Sequence, residues 1–205
     1  MNYKTVDHRG SSEIEIKKSV FIGNAAPVST EEEAIAFISE IKKTYPDARH
    51  NVYAYLLREN SAMRYSDDHE PQGSAGMPVL DVIRKSGITD VVVTVTRYFG
   101  GTLLGVGGLV RAYTDAAAEA VAAATPVEII LSAVISITCS YSDYQRILPK
   151  LDLFDGRVLD TVFDADVTIR VTFPYEDVSA VTEKLTDDTA GRAVISVLAS
   201  EYKKW

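Results

Sequence analysis

A glycine-rich stretch between residues 96 and 113 combines residue types that bind phosphate groups. It reads TRYFGGTLLGVGGLVRAY, at the end of a strand and the start of a helix. Backbone amides at such a junction attract anions, and glycines let a ligand approach the main chain. Arginines can grip phosphate, and aromatic rings can stack on bases. The candidate anion-binding or nucleic-acid-binding residues here are Arg97, Tyr98, Phe99, Gly100, Gly101, Gly105, Gly107, Gly108 and Arg111.

This stretch matches neither of the common nucleotide-binding loops. A P-loop would end in Gly-Lys-Ser/Thr, whereas Gly107-Gly108-Leu109-Val110 stands there, and a Gly-x-Gly-x-x-Gly fingerprint is not in register. A tight turn whose glycines only let two elements pack closely explains the same residues. Contact with an anion and close packing therefore both remain open.

A second stretch, residues 64–78, places several carboxylates on one predicted loop and reads RYSDDHEPQGSAGMP. It fits either a divalent cation held by carboxylates or a general acid–base pair. A solvated turn, with Asp67 or Asp68 paired to Arg64, fits it as well. Adjacent acids on one loop rarely converge without further ligands, so we expect no metal site. The candidate functional residues are Arg64, Asp67, Asp68, Glu70, Gly73 and Gly76, together with His50 from the preceding strand.

The first half of the chain alternates between strand and helix patterns that position both stretches. Thr30 and Glu33 form a predicted capping box, which indicates a helix start. The run DVVVTVT is almost entirely β-branched and predicts a central, buried strand. We predict strands over 12–17, 20–28, 52–57 and 90–96, and helices over 30–45, 78–85 and 109–124.

After Thr125-Pro126 the pattern restarts and predicts a second domain. Ser142 and Gln145 form a predicted capping box, and Pro149 is expected to end or kink that helix. We predict strands over 127–140, 156–163, 167–173 and 191–202, and helices over 142–148 and 175–185. The order β-α-β-β-α-β is typical of a ferredoxin-like domain. The expected fold class is α+β, with domains at residues 1–128 and 129–205.

The composition excludes several classes of protein. With 46% hydrophobic residues and a formal net charge of −8 over 205 residues, the chain is neither disordered nor a uniformly basic nucleic-acid coat. A local basic patch remains compatible with that charge. Cys139 is the single cysteine, so no internal disulfide forms. Without a signal peptide or an apolar run of about 18 residues, we expect a cytoplasmic protein with no membrane partner.

Three motifs together resemble the IMPACT family, whose bacterial members are called YigZ. They are HNVYAY at residues 50–55, the acidic stretch at 64–78, and VTRYFGGTLLGVGGLVRAY at 95–113. The segment FIGNAAPVSTEEEA at residues 21–34 is also similar to that family. The resemblance covers the chain from end to end.

The resemblance implies a particular fold and role. Its N-terminal domain would be similar to domain 2 of ribosomal protein S5, and its ferredoxin-like domain to domain V of elongation factor G. It implies regulation of translation, with RNA or ribosome contact proposed for bacterial members. Eukaryotic members act on a starvation-kinase pathway through an additional RWD domain, which we do not expect here. Some bacterial members are labelled proline dipeptidases, but the sequence lacks the metal-ligand set that such a peptidase needs.

Two main functional hypotheses follow. The first is a translation-associated regulatory or binding protein that contacts RNA or the ribosome through the Arg97–Arg111 surface, with Arg64 at its rim. The alternative is a small-molecule enzyme that binds phosphate at the glycines and uses Asp67, Asp68 or Glu70 for magnesium or as a base. A protein-interaction adaptor in translation control is a third possibility. We expect no bound cofactor and a binding role rather than catalysis.

Overall fold

The computed structural model describes residues 2–205 and divides them into two compact units. One unit is Tyr3–Glu128, and the other is Ile129–Trp205 together with Asn2. Each unit has its own sheet and its own buried core. The α+β class with two domains is confirmed.

The N-terminal unit contains six strands and three long helices among the described residues. The strands are β1 (Tyr3–Val6), β2 (Gly10–Ile16), β3 (Ser19–Pro27), β4 (His50–Leu56), β5 (Met63–Ser66) and β6 (Val91–Tyr98). The helices are α1 (Glu31–Thr44), α2 (Gly76–Lys85) and α3 (Gly105–Ala123). Five strands form an antiparallel sheet in the order β2-β3-β6-β4-β5. Strand β1 lies outside this sheet and was not predicted from the sequence.

Helices cover both faces of this sheet. On one face, α2 and α3 pack over Val91, Val93 and Val95 of β6. On the other face, α1 packs over Val92 through Phe37 and other apolar residues. Because β6 is buried on both faces, its β-branched residues need no polar alternation. The prediction of a central buried strand is therefore confirmed.

Helix α3 lies close to strand β3 because small residues line their contact. A Cβ atom on Gly23 would lie 2.5 Å from the Ala116 carbonyl oxygen and 2.9 Å from the Ala120 Cβ atom. The alanines of α3 that face the sheet are fully buried. The alanine-rich sequence thus fits a helix packed directly on the sheet.

The C-terminal unit has the β-α-β-β-α-β order predicted for a ferredoxin-like domain. Its elements are β7 (Pro126–Cys139, which begins in the N-terminal unit), α4 (Tyr141–Leu153), β8 (Arg157–Phe163), β9 (Val167–Pro174), α5 (Val178–Asp188) and β10 (Val194–Lys204). These strands are antiparallel in the order β8-β9-β7-β10. Helices α4 and α5 cover one face, around Ile137, Ile147 and Ile169.

Several predicted helix boundaries are wrong. Helix α3 begins at Gly105 rather than at residue 109, because buried Leu109 holds its first turns against the core despite the low helix propensity of glycine. Helix α4 is capped by Ser140 rather than Ser142, and it continues past Pro149 to Leu153. Pro149 lies on the exposed side of α4, where water can bind the carbonyl that loses its partner.

The longest helix in the described part of the chain is α3, with 19 residues. Its composition is dominated by alanine and glycine. Neither α3 nor any other helix within residues 2–205 is long and apolar enough to cross a membrane.

Gly23→Ala is expected to lower the free energy of unfolding by roughly 1–3 kcal/mol, because the new methyl group would overlap the backbone of α3. Gly107→Ala is the matched control. No atom lies within 4 Å of its new Cβ atom. The control should leave stability unchanged or raise it by up to about 1 kcal/mol. Urea unfolding followed by circular dichroism measures both, and equal losses would contradict close packing at Gly23.

Candidate anion-binding site

A cavity of about 450 Å³ lies at one end of the N-terminal sheet. It is bordered by the start of β4, the end of β6, the loop before α2 and the first turn of α3. Its polar lining consists of Arg49, His50, His69, Glu70 and Arg97. Its apolar lining consists of Pro71, Phe99, Leu103, Leu104, Val106 and Leu109, with Gly105 between them. We call this cavity the α3 pocket.

Strand pairing brings Arg49, His50 and Arg97 together at the α3 pocket. His50 of β4 lies directly opposite Arg97 of β6 in the antiparallel register. The Arg49 backbone N–H donates a hydrogen bond to the Arg97 carbonyl oxygen at 3.1 Å. Arg49 and His50 are therefore held beside Arg97 by backbone geometry, although more than forty positions separate them in sequence.

Glu70 is the centre of a buried hydrogen-bond network at the base of the pocket. Its Oε1 atom accepts a hydrogen bond from Arg97 Nη1 at 2.5 Å and another from the Tyr113 hydroxyl at 2.8 Å. The Glu70 and Arg97 side chains are only 4% and 6% exposed. A buried carboxylate is stable only with such partners. The ring of Phe21 packs edge-on against Tyr113, with centroids 5.2 Å apart, and fixes that donor.

The imidazole of His50 is oriented by the acidic loop. Its Nδ1 atom donates to the Asp68 carbonyl oxygen at 2.7 Å, so the other ring nitrogen faces the site. That Nε2 atom lies 3.7 Å from Glu70 Oε1. The Asp68 carboxylate in turn accepts a hydrogen bond from the Asn51 backbone N–H at 2.6 Å. Asp68 therefore positions His50 and does not reach into the cavity.

The Tyr113 hydroxyl is a permanent donor to Glu70. Burial, followed by the charge of Glu70 and the hydrogen bond to it, raises the pKa of Tyr113 well above its usual value of 10.0. A nearby carboxylate disfavours a phenolate because the two negative charges repel each other. Tyr113 thus stays protonated wherever the protein is folded.

Asp67 shapes the loop that presents Glu70. Its carboxylate accepts hydrogen bonds from the backbone N–H groups of Gly73, Ala75 and Gly76 at 2.9, 3.1 and 2.8 Å. Gly73 has a φ of +74°, and a Cβ atom on Gly76 would lie 2.7 Å from the Ser66 backbone. Nowhere in residues 2–205 do three His, Cys, Asp or Glu side chains converge as a metal site would require.

Several predicted site residues lie outside the α3 pocket. Arg64, 66% exposed on β5, pairs with Glu31 at 3.1 Å, so its expected pairing with Asp67 or Asp68 is not found. Arg111 is 85% exposed and lies 4.0 Å from Asp115. Tyr98 follows Arg97 on β6 and points to the opposite face of the sheet.

Some glycines of the cluster are needed for close packing, whereas others have open space around them. A Cβ atom on Gly100 would lie 2.0 Å from the Lys18 carbonyl carbon, so Gly100 permits close approach of the β2–β3 turn. Gly101 and Gly105 have positive φ values of +84° and +72°. Gly107 has open space around it, whereas a Cβ atom on Gly108 would lie 3.0 Å from the Leu104 Cβ atom, closer than an ordinary contact. The packing interpretation thus accounts for Gly100 but not for Gly107.

The first turn of α3 has no cap. Leu104 precedes it and supplies no side-chain hydrogen bond, and the turn contains no acidic residue. Helix α1, by contrast, is capped by Thr30 and begins with three glutamates. Unpaired N–H groups and the helix dipole make such a start attractive to anions. Since Gly105 and Val106 line the pocket, this start borders the cavity that holds the cations.

Sequence reasoning missed two polar residues of the pocket, Arg49 and His69. Both are exposed, and neither makes an ion pair among the described residues. The sequence signal available for Arg49 was its position next to His50, immediately before β4. His50 lies opposite Arg97 in the antiparallel register. His69 lies between Asp68 and Glu70, and only the folded loop shows that it borders the cavity.

Comparison with known proteins places these two domains in one family. The profile of the Impact N-terminal domain matches residues 17–121, and that of a domain of unknown function, DUF1949, matches residues 137–192. IMPACT family member YvyE of Bacillus subtilis is 36% identical over 195 residues, which cover 95% of this chain and 90% of the relative. The chain belongs to the IMPACT family. IMPACT family member YigZ of Escherichia coli is 34% identical over 180 residues, covering 86% and 88% of the two chains.

The chain is also similar to a solved structure and to eukaryotic IMPACT proteins. A solved structure described as a hypothetical protein is 31% identical, with a TM-score of 0.60 and coverage of 98% of both chains. The protein IMPACT of Oryctolagus cuniculus is 31% identical over 93 residues, or 43% of this chain and 29% of the relative. The likeness to eukaryotic IMPACT therefore spans less than half of this chain.

Arg97→Ala is expected to lower the free energy of unfolding of the N-terminal domain by about 3–5 kcal/mol, because it leaves the Glu70 carboxylate buried and unpaired. Adding Glu70→Gln should recover part of the loss, since the unpaired charge is then gone. Urea unfolding of the two variants measures this. A fully stable Arg97→Ala protein would contradict the buried ion pair.

Tyr113 is expected to remain protonated in the folded protein at a pH where exposed tyrosines ionise. Because its folded pKa is raised, it stabilises the fold below about pH 10, and that stability declines as the unfolded phenol ionises at higher pH. While the protein is folded, Tyr113→Phe should therefore not alter the absorbance change near 295 nm that accompanies tyrosine ionisation at alkaline pH. Once the chain is unfolded in urea, the same substitution should reduce that absorbance change. A smaller absorbance change in the folded variant would contradict this.

Proposed function

We propose that this protein is a translation-associated regulatory protein whose N-terminal domain contacts RNA, free or on the ribosome, through the α3 pocket. The observation that carries the proposal is the convergence of arginine and histidine side chains on an uncapped helix start. Arg49, His50, His69 and Arg97 line the cavity that the first turn of α3 also borders. The link to translation rests on membership of the IMPACT family.

The local charge supports an anionic partner despite the overall net charge of −8. Glu70 is the one carboxylate that lines the pocket, and Arg97 pairs with it. Arg49 is exposed and makes no ion pair within residues 2–205, so its positive charge is available to a ligand. Lys17 and Lys18 add two exposed cations in the turn that packs against Gly100. A local field of this kind attracts phosphates while the rest of the surface repels them.

Exposed apolar side chains beside the cations favour single-stranded RNA over a duplex. Phe99, Leu103 and Val106 are 45%, 82% and 60% exposed at the pocket. Unpaired bases stack on aromatic and apolar side chains, whereas paired bases are hidden in a helix. The pocket thus offers contacts for both the backbone and a base.

The enzymatic alternative has less support. Asp67 and Asp68 are engaged by backbone N–H groups and do not line the pocket. Glu70 lines it, but its Oε1 atom is held by Arg97 and Tyr113. With the carboxylates used in this way, a binding role is favoured over magnesium-dependent chemistry.

Arg49→Gln is expected to weaken RNA binding severalfold and to reduce the salt dependence by about 0.7, the value for one phosphate contact on a single strand. Fluorescence anisotropy with a mixed-sequence single-stranded RNA, titrated at several salt concentrations, measures both quantities. Arg49 is preferred to Arg97 because its side chain is exposed, so its loss should not disturb the buried network.

Arg84→Gln is the matched control. Arg84 is exposed in the last turn of α2, at the far end of that helix from the Glu70 loop, and does not line the pocket. It removes the same charge from the same domain. Equal effects of the two substitutions, or no RNA binding by the unaltered protein, would overturn the proposal.

A further inference from the structure

The size of the α3 pocket limits what it can enclose. At about 450 Å³ it falls near the lower end of the range of roughly 300–1,000 Å³ typical of small-molecule sites. A groove that follows several nucleotides would be longer and open at both ends. The cavity is therefore suited to a single unit of a larger ligand, or to one small molecule.

A buried arginine that lines the pocket is only partly paired among the described residues. The Arg97 side chain is 6% exposed, and its Nε atom is buried without a hydrogen-bond partner among the described residues. Of the guanidinium nitrogens, only Nη1 makes a hydrogen bond, to Glu70. The remaining guanidinium nitrogen, Nη2, also makes no hydrogen bond within residues 2–205, and the Arg97 side chain lines the cavity. An oxygen-rich ligand there could accept a hydrogen bond from the guanidinium, which is favourable for a charged group that is otherwise only partly paired. This is independent of the uncapped start of α3, and both features favour a phosphate.

The pocket also contains an acceptor that a simple anion would not need. Glu70 Oε1 is occupied by Arg97 and Tyr113, whereas Oε2 accepts no hydrogen bond in the part of the chain that the structure describes. A carboxylate oxygen repels a bare phosphate but accepts hydrogen bonds from hydroxyl or amino groups. The ligand therefore carries such donors at a distance from its phosphate.

The rest of the cavity lining is apolar. Leu103 and Leu104 come just before α3, Val106 and Leu109 lie in its first turns, and Phe99 follows β6. The Phe99 ring lies 5.6 Å from the Arg97 guanidinium. A flat, uncharged ring system inserted here would contact this apolar lining while its polar substituents remain near Glu70.

From these features we propose that the α3 pocket binds one nucleoside monophosphate unit. The phosphate lies at the first turn of α3 near Arg97 and Arg49, the base lies against Phe99 and the leucines, and Glu70 accepts a hydrogen bond from a sugar hydroxyl or base amino group. This deepens the proposed function, because an RNA end or an unstacked nucleotide would supply the unit, although a free nucleotide has the same chemistry.

Isothermal titration of the full chain with single ligands tests the proposal. The probes are the 5′- and 3′-monophosphates of adenosine and uridine, the two nucleosides, and inorganic phosphate. At least one nucleotide should bind about tenfold or more tightly than both its nucleoside and inorganic phosphate, because only it engages all parts of the pocket at once. Absence of nucleotide binding at millimolar concentration would overturn the inference.

Val106→Glu tests the position of the phosphate. Val106 is 60% exposed in the first turn of α3, where a carboxylate is favourable for the helix itself. The protein should therefore keep its melting temperature, while nucleotide affinity falls about tenfold through repulsion between the carboxylate and the phosphate. Ile35→Glu on α1, at 53% exposure, makes the same change of charge away from the pocket and should alter affinity by less than about twofold. Equal losses in the two variants would overturn the assignment.

Competition with RNA separates the sources of the nucleotide. Oligonucleotides with a 5′-phosphate, a 3′-phosphate or neither are titrated into the labelled nucleotide complex. Stronger competition by one phosphorylated end supports a terminal nucleotide, and equal competition by all three supports an unstacked internal one. If nucleotides bind and no RNA competes, the pocket assignment stands and the RNA proposal fails. If RNA binds in an Arg49-dependent manner and nucleotides do not, the RNA proposal stands and this inference fails.

Discussion

The buried ion pair between Glu70 and Arg97 is the interaction on which the arrangement of the site depends. It joins the loop before α2 to strand β6, and the Tyr113 hydroxyl ties α3 to the same carboxylate oxygen. Removing either charge would leave the other buried and unpaired, so the loop before α2, strand β6 and helix α3 must stay together. The positions of His50 and of the first turn of α3 follow from that constraint.

The acidic loop and the glycine cluster are two halves of one structure. Asp67 binds three backbone N–H groups and holds the loop in the shape that buries Glu70. On the opposite side, Gly100 lets the β2–β3 turn approach the chain where β6 ends. Packing therefore explains part of each motif. Packing leaves two features unexplained, the uncapped start of α3 and the partly paired Arg97 guanidinium that lines the cavity, and both favour an anionic ligand.

Local sequence patterns predicted most helices and strands, because burial of one or both faces gives the apolar residues a characteristic spacing. The β-branched run of β6 indicated a strand covered on both faces, and the ferredoxin-like order of the second domain followed from the alternation of strand and helix patterns. The errors occurred where tertiary contacts outweigh propensity. Leu109 holds the glycines of α3 in a helix, and exposure of the carbonyl freed by Pro149 lets α4 continue.

The sequence by itself determined the two-domain α+β class, the family resemblance and the two stretches that form the site. Only the tertiary structure decided which of their residues meet. Arg64 and Arg111 have the same side chain as Arg97, yet they point into solvent while Arg97 is buried beside Glu70. Arg49 belongs to none of the motifs, and the register of β4 against β6 places it at the pocket. Residue type reports what a side chain can bind, whereas strand register and burial, set by contacts between distant segments, decide whether it is placed to do so.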